Sequence, residues 1–257
     1  MPPVQETIPG KYFYCIIRCP EPHEFKTRGI GEQGAIVNTI NYKDLAAVVS
    51  DSPVVEYDNS RRNMMAHSAV LDEVMQEFNI LPVRFGIVAP DSKSIMEQML
   101  QRRYAEFDKL LRKMDGKAEL GLKAFWYEDV VYREIVESNS AISHLRNSLV
   151  GRSPEETYYE RIKLGELVEM AMNKLREDDV EHITRALKPL AHETRFNAVI
   201  TERMVLNAAF LVDRTREPEF DQAIQQLDAE MGKRLIFKYV GSAPPYNFVN
   251  IIVRWDK

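Results

Sequence analysis

The sequence lacks the features that mark several classes of protein. Its 257 residues include two cysteines, and no apolar run approaches the roughly 20 residues that span a bilayer. The N-terminus, MPPVQETIPG, has no basic segment followed by an apolar core, so no export signal is predicted. Its 34 basic and 39 acidic residues leave a net charge of -5, which gives no general attraction to nucleic acid or anionic lipid. We therefore expect neither nucleic-acid nor membrane binding.

The two cysteines, Cys15 and Cys19, lie in a segment predicted to be extended. A strand rises about 3.3 Å per residue, so their Cα atoms are about 13 Å apart. A disulfide needs Cα atoms within about 7 Å. No second Cys or His cluster completes a metal site with them. We expect two reduced, buried thiols, which are typical of a cytoplasmic protein.

Residue types that commonly carry catalysis form no recognisable constellation. The five histidines are scattered, and His67 lies beside an apolar helical stripe, where an edge-of-core position is expected. The acidic pairs 128–129, 155–156 and 178–179 fall at predicted helix starts, where carboxylates complement the helix dipole. The sequence has neither a complete phosphate-binding loop nor a Gly-x-Ser-x-Gly elbow. It therefore predicts no catalytic, cofactor-binding or metal-binding residues.

The first half alternates between strand and helix patterns. Aromatic and β-branched runs predict strands, and apolar residues at helical spacing predict helices. The predicted elements are a strand at 11–18, a loop at 19–33, a hairpin of strands 35–40 and 45–49, a helix from Asn59 or Ser60, an extended segment at 80–88, and a helix at 92–114 with a capping box at Ser94 and Glu97 and its end at Gly116. This is a ferredoxin-like order in which a loop replaces the first helix and an extra helix follows.

The second half alternates in the same way around a helical insertion. Ser153-Pro154-Glu155-Glu156 predicts a helix start, with Ser as the N-cap and Pro at the first helical position. The nearly continuous apolar run 204–212 is typical of a strand covered on both faces. The predicted elements are a strand at 120–127, helices between 128 and 190 with one from Ser153 to about Arg176, the covered strand, a helix that stops at Gly232, a strand at 235–240 and an extended tail at 247–255.

These patterns predict an α+β protein of two domains. The division is expected near Asp115–Lys117, which gives an N-terminal, modified ferredoxin-like domain at 1–116 and a C-terminal domain at 117–257. The second is predicted as a ferredoxin-like variant with a helical insertion at about 128–190 and an extended C-terminal tail.

Two runs contain polar residues that are unusual in buried strands. In the run 81–86, Pro82 and Arg84 predict a strand at the edge of a sheet, and Arg84 is expected to need a carboxylate partner in a structural ion pair. Asn207 is the polar residue of the run 204–212, so its side-chain amide is expected to hold a neighbouring loop.

A third run, Gly241-Ser242-Ala243-Pro244-Pro245-Tyr246-Asn247-Phe248, is a stiff turn with two aromatic residues after a strand. Prolines lower the entropy cost of ordering, and an exposed Tyr and Phe would form a preorganised apolar surface. Two interpretations stay open. The run packs the C-terminal tail onto the core, or it forms a partner-binding edge whose candidate residues are Pro244, Pro245, Tyr246 and Phe248.

The same three runs resemble the gas vesicle protein F and L family. They are 81–86 (LPVRFG), 205–212 (VLNAAFLV), and Gly241 with Pro244-Pro245-Tyr246-Asn247-Phe248, and their order and spacing cover nearly the whole chain. The sequence looks more like the F than the L branch. It departs from the family at Ser242 and Ala243, where family members often have a proline and a bulky apolar residue.

The resemblance implies a non-enzymatic accessory or minor structural component of gas vesicles, the gas-filled flotation bodies of some prokaryotes. It implies binding to the small, very hydrophobic shell protein, gas vesicle protein A, during nucleation, so that aggregation of the shell protein is limited. Other accessory proteins are further expected partners, and the expected location is the gas vesicle in the cytoplasm. A small-molecule sensor with paired ferredoxin-like domains is the alternative, and an enzyme comes third because a fold alone does not exclude activity.

Overall fold

The computed structural model describes residues 8–30 and 34–256, in which helices combine with β-sheets. The predicted α+β class is confirmed. The described chain divides into two compact units: the first runs up to Glu119 and includes the residues from Ser242 onward, and the second is Leu120–Gly241. The C-terminal tail therefore belongs to the first unit, whereas the sequence assigned it to the domain 117–257. The physical reason is a set of side-chain contacts, given below, that hold the tail on the first unit.

The sheet of the first unit is built around its first strand. The strands are β1 (Pro9–Arg18), β2 (Glu24–Arg28), β3 (Ile36–Tyr42), β4 (Leu45–Pro53), β5 (Ile80–Pro82) and β6 (Val88–Ala89). Their order is β2-β3-β4-β1-β5, with β6 also pairing with β1. Strands β4, β5 and β6 are all antiparallel to β1. The aromatic and β-branched residues of β1 are buried along most of its length, as a central strand requires.

Strand β2 corrects the predicted loop at 19–33. The prediction is wrong at Glu24–Arg28, which pairs with β3 in antiparallel register. Phe25 is the buried apolar residue of this edge strand, and charged residues surround it. Edge strands commonly carry such charges, which hide the strand pattern in the sequence. Residues 31–33 of the predicted loop lie outside the described residues.

Side-chain caps start two of the helices of the first unit, the first and the second. The helices of this unit are α1 (Arg61–Glu77), α2 (Ser92–Ser94), a π-helix (Ile95–Gln101) and α3 (Tyr104–Met114). Ser60 caps α1, as predicted. The predicted cap at Ser94 is wrong: Asp91 precedes the helix, and its carboxylate accepts a hydrogen bond from the Ser94 backbone N at 2.6 Å. Gly116 follows α3 with φ 65°, a conformation that glycine adopts without strain.

The second unit packs helices with a four-stranded sheet. Its elements are β7 (Lys117–Trp126), α4 (Glu128–Ser138), α5 (Ser140–Ser148), α6 (Tyr158–Leu187), β8 (Glu193–Phe196), β9 (Met204–Asp213), α7 (Glu217–Met231) and β10 (Leu235–Ala243), with 3₁₀ turns at Lys188–Leu190 and Arg214–Arg216. The strand order is β10-β7-β9-β8. Strand β9 is buried along nearly its whole length, which confirms the prediction of a covered strand.

Helix α6 begins later and ends later than its sequence predicts. The hydroxyl of Thr157 donates to the Ser153 carbonyl at 2.7 Å, the acceptor that the Thr157 backbone N would use if a helix had begun at Pro154. Residues 154–157 therefore form turns, and the helix starts at Tyr158. It then runs without a break to Leu187. The predicted helix end near Arg176 is therefore wrong.

Candidate functional site

The run at Gly241–Phe248 does not present all of the surface that its sequence suggests. Tyr246 is 41% exposed, but Phe248 is only 6% exposed and Pro245 is buried. Pro244 is half-buried. The expected exposure is therefore wrong for Pro245 and Phe248, because the tail beyond β10 packs its apolar side chains against the first unit. This is the tail-packing interpretation of the run.

A chain of neutral hydrogen bonds links the tail to the core of the first unit. The Tyr246 hydroxyl lies 2.9 Å from His67 Nε2 and donates to the Val83 carbonyl at 3.3 Å. On the other side of the His67 ring, the Tyr12 hydroxyl lies 3.1 Å from Nδ1 and accepts a hydrogen bond from the Gly86 backbone N at 2.8 Å. These partners fit a neutral His67 with its proton on Nε2. His67 is thus a core residue, more deeply buried than the predicted edge position.

Burial shifts the pKa values of the three side chains in this series of hydrogen bonds. The pKa of His67 is lowered to about 4 because burial penalises the charged imidazolium. Burial raises the pKa of the Tyr12 and Tyr246 hydroxyls well above the usual range. All three groups therefore remain neutral at pH 7.

Glu119 holds the tail at a second point. Its carboxylate accepts from the Asn247 backbone N at 2.9 Å and from Asn247 Nδ2 at 2.6 Å. The Glu119 side chain is buried, and burial raises its pKa despite these two hydrogen bonds. Further along, the Trp255 indole donates to the Val88 carbonyl at 2.9 Å. The tail is therefore fixed by side-chain contacts without forming a strand or helix.

Arg84 lies next to the tail but has a different partner from the one predicted. Strand β5 ends at Pro82 on the edge of the sheet, as expected, and the exposed Arg84 follows it. Its guanidinium donates to Asn250 Oδ1 at 3.5 Å, an amide oxygen in place of the expected carboxylate. At the edge of the sheet the guanidinium keeps its contact with water, so it does not need a counter-ion.

Asn207 holds the loop that follows β8. Its side-chain amide donates to the Ala198 carbonyl at 3.0 Å, and its own backbone carbonyl accepts from the Asn197 backbone N at 2.7 Å. This is the loop-holding contact that the sequence predicts. The loop at 197–203 carries two exposed apolar side chains, Val199 and Ile200.

The loop and helix α6 enclose a groove of about 650 Å³, here named the α6 groove. One wall is a single helix face, whose residues recur every three or four positions. The other wall is the loop. The lining residues are Gly165, Val168, Glu169, Met172, Asn173 and Arg176 of α6, with Val199, Ile200, Thr201 and Glu202 of the loop.

Arg176 fixes the far end of the α6 groove. Its guanidinium lies 5.0 Å from the centre of the Trp126 ring and donates to the Glu202 carbonyl at 2.7 Å and to Asn173 Oδ1 at 2.8 Å. With Asn207 at one end of the loop and Arg176 at the other, the apolar wall is tied at two points. The groove is therefore preorganised.

Behind the groove, an ion pair between the buried Asp179 and the half-buried Arg234 attaches α6 to the sheet. Asp179 accepts from Trp126 Nε1 at 2.8 Å and forms a salt bridge with Arg234, which also donates to Glu134 at 2.7 Å. Burial raises the pKa of Asp179, and these donors oppose that rise. The predicted helix-start role of the pair 178–179 is wrong, because α6 is continuous there. The pair 155–156 likewise precedes α6, whereas 128–129 lies in the first turn of α4, as predicted.

A second groove, of about 1080 Å³, lies in the first unit and is here named the N-terminal groove. Ile36 and Val55 give it exposed apolar surface, and several of its polar lining side chains are already paired. Asp51 pairs with Lys11, and Asp58 accepts from Asn63 at 2.5 Å. The α6 groove has the more exposed apolar side chain, since Ile200 is 73% exposed against 45% for Ile36 and 40% for Val55.

Chemical sites are sparse in the rest of the molecule. Within residues 8–30 and 34–256, no three His, Cys, Asp or Glu side chains converge as a metal ion would require. Cys15 and Cys19 are buried free thiols, as expected. None of the described helices is both long and apolar enough to cross a membrane. The described surface includes two grooves that carry exposed apolar side chains.

Comparison with known proteins identifies the family of this chain. The family model of gas vesicle synthesis protein GvpL/GvpF matches residues 10–250, so the chain belongs to that family. Gas vesicle protein F of Dolichospermum flosaquae is 29% identical over 93% of this chain and 97% of its own length. That of Streptomyces sp. is 32% identical over 93% and 98%.

A solved structure shares the fold as well as the sequence. The crystal structure of gas vesicle protein GvpF from Anabaena sp. superposes with a TM-score of 0.84 at 28% identity, and the match covers 95% of this chain and 99% of that one. The resemblance inferred from the three runs is thereby confirmed, and family membership supports an accessory role in gas vesicles.

Proposed function

We propose that this chain is a non-enzymatic accessory protein that binds the hydrophobic shell protein, gas vesicle protein A, during gas vesicle nucleation and limits its aggregation. Membership of the gas vesicle synthesis family supports this role. It acts in the cytoplasm, at the growing gas vesicle, where other accessory proteins are further partners.

The observation that carries the proposal is the exposed apolar surface of the α6 groove. The side chain of Ile200 is 73% exposed, and Val199 lies beside it on a loop that two polar contacts hold in place. Exposed apolar side chains grouped along a groove are typical of a protein-binding surface. A very hydrophobic partner gains by covering them, and its own apolar surface is then withdrawn from self-association.

The run Pro244–Phe248 contributes to the same function through its exposed residue. Tyr246 offers its exposed part to a partner, while the buried Pro245 and Phe248 keep the tail on the first unit. Arg84 and Asn207 are structural residues in this proposal, since each holds neighbouring chain through an amide contact.

Both units are, in this proposal, ferredoxin-like. The four strands of each ferredoxin-like repeat can be numbered 1 to 4 in chain order. The sheet orders β3-β4-β1-β5 and β8-β9-β7-β10 then both become 2-3-1-4. In the first unit β2 takes the place of the first helix, and in the second α4, α5 and α6 occupy that position. Such duplicated sheets offer a rigid base for contact surfaces.

Co-expression tests the binding. The full chain, tagged, is produced together with the shell protein, and both the amount of shell protein retained on the tag and the fraction left in solution are measured. We expect retention, and more soluble shell protein than with a tagged control protein of similar size and charge. Equal retention and equal solubility with the control would contradict the proposal.

A further inference from the structure

The charged side chains that the α6 groove presents to a partner are negative. Glu169 and Glu202 line the groove and are exposed, and no ion pair is described for either within the described part of the chain. The groove's one lining cation, Arg176, is turned to Trp126, Asn173 and the Glu202 carbonyl. An apolar groove is therefore bordered by two available carboxylates.

The α6 groove presents side chains to a partner but few unpaired backbone groups. The peptide groups of α6 are hydrogen-bonded within the helix, and the loop carbonyls of Ala198 and Glu202 are taken by Asn207 and Arg176. A partner strand needs unpaired backbone groups on a sheet edge, which such a groove does not supply. A partner helix needs only apolar side chains to pack against, which Val168, Met172 and Ile200 provide.

The dimensions suit a short helical segment. From Gly165 to Arg176 the helix face extends about 16 Å, which is about three turns of a partner helix. A Cβ built on Gly165 meets no atom within 4 Å, so a partner backbone can approach closely at that point. The tied loop keeps the opposite wall in place before binding, which lowers the entropy cost.

We propose that the α6 groove is the docking site for one amphipathic helix of the shell protein, with an apolar stripe of about three turns flanked by Lys or Arg. This inference rests on the proposed function, since it places the binding of that partner on one surface. The basic flanks pair with Glu169 and Glu202, and the apolar stripe covers Val168, Met172, Val199 and Ile200.

The test uses the full chain, co-expressed with the shell protein, and single variants of exposed residues. Ile200→Lys puts a charge in the apolar wall, and Glu169→Lys reverses the rim. Their matched controls are Val240→Lys, on β10 outside the groove, and Glu137→Lys, on α4. We expect retention of shell protein to fall about tenfold for Ile200→Lys and three- to tenfold for Glu169→Lys, as is typical of central apolar and rim charged contacts. The controls should retain wild-type amounts.

Failure of the docking site is distinguishable from failure of the function. If the wild-type chain retains no shell protein, the proposed function is wrong. If the wild type retains it and both groove variants retain as much, the docking site is wrong and the function stands. Loss in Val55→Lys, which alters the N-terminal groove, without loss in Ile200→Lys would place the partner there and overturn the inference. Equal loss in the controls would also count against it.

Discussion

The two units hold their buried polar groups in opposite ways. The first joins Tyr12, His67 and Tyr246 in a neutral chain, while the second pairs the buried Asp179 with the half-buried Arg234. A neutral chain avoids the cost of desolvating charge, but it fails when its histidine takes up a proton. A buried pair tolerates mild acid but depends on both of its partners. The units should therefore respond to different perturbations.

The two units also differ in their grooves. The N-terminal groove has several polar lining side chains that are already paired, whereas the α6 groove combines the strongly exposed Ile200 with two available carboxylates. The ion pair behind α6 sets one wall of that groove, because Asp179 lies on the same helix and accepts from Trp126, over which Arg176 stacks. The stability of the second unit and the shape of its groove are thus coupled through one helix.

The largest expected effect is the loss of the buried pair. Asp179→Ala leaves Arg234 and the Trp126 indole without their shared acceptor, and we expect the second unit to lose about 3 to 5 kcal/mol of unfolding free energy. The two tryptophans fall one in each unit, so fluorotryptophan NMR during denaturation follows Trp126 and Trp255 separately. The Trp126 transition should move and that of Trp255 should not. Asp178→Ala, at the exposed neighbour, serves as the control.

The second effect is acid sensitivity of the first unit. His67 has a pKa of about 4 in the fold against 6.5 in an unfolded chain, so the unfolded state takes up the proton first as the pH falls. Stability from this group is complete above pH 6.5 and decreases towards pH 4, by about 3 kcal/mol. Glu119 acts in the opposite direction, because its raised pKa favours the folded state as it becomes protonated.

The comparison of wild type with His67→Phe isolates the histidine, since Glu119 is present in both. The unfolding free energies of wild type and His67→Phe are measured between pH 7 and pH 4 from the fluorotryptophan signal of Trp255. The difference between them should shrink as the pH falls. A constant difference across that range would show that His67 does not titrate as described.

A smaller effect distinguishes two asparagines. Asn207→Ala removes the donor to Ala198 from a half-buried position, and we expect a loss of about 1 kcal/mol together with faster hydrogen exchange at the loop 197–200. Asn250→Ala, in the exposed tail contact with Arg84, should change neither. Equal effects from both would mean that the loop is not held by Asn207.

The smallest effect concerns how the helices begin. Ser60→Ala removes the side-chain cap of α1 and should lower the stability of the first unit by about 0.5 to 1 kcal/mol. Ser153→Ala should leave α6 intact, because that helix begins at Tyr158 without a side-chain cap. Denaturation monitored by circular dichroism measures both. A larger loss for Ser153→Ala would reinstate the predicted helix start.

Sequence patterns located most elements because local and tertiary preferences agree in them. Strands β1 and β9 and helices α1 and α7 combine a clear apolar period with clear ends. The patterns failed at β2 and β8, which are charged strands at the sheet edges and owe their conformation to their neighbours. They also failed for the length of α6, since the buried Asp179 resembles a capping residue when its partner Arg234, 55 residues away, is not known.

The candidate site was less predictable than the fold. Asn207 was identified because a lone amide in an apolar strand must be satisfied, but the groove that its loop lines depends on packing over long sequence separations. Exposure of Tyr246 could be inferred from its stiff turn. Burial of Phe248 could not, because the turn carries no information about the surface beneath it.

The most direct measurement of the central claim is shell-protein retention by Ile200→Lys beside Val55→Lys, one variant in each groove. Both positions are exposed, so neither change should unfold its unit. If the shell protein binds in the α6 groove, Ile200→Lys retains about tenfold less of it and Val55→Lys retains wild-type amounts. Wild-type retention by Ile200→Lys would contradict the account.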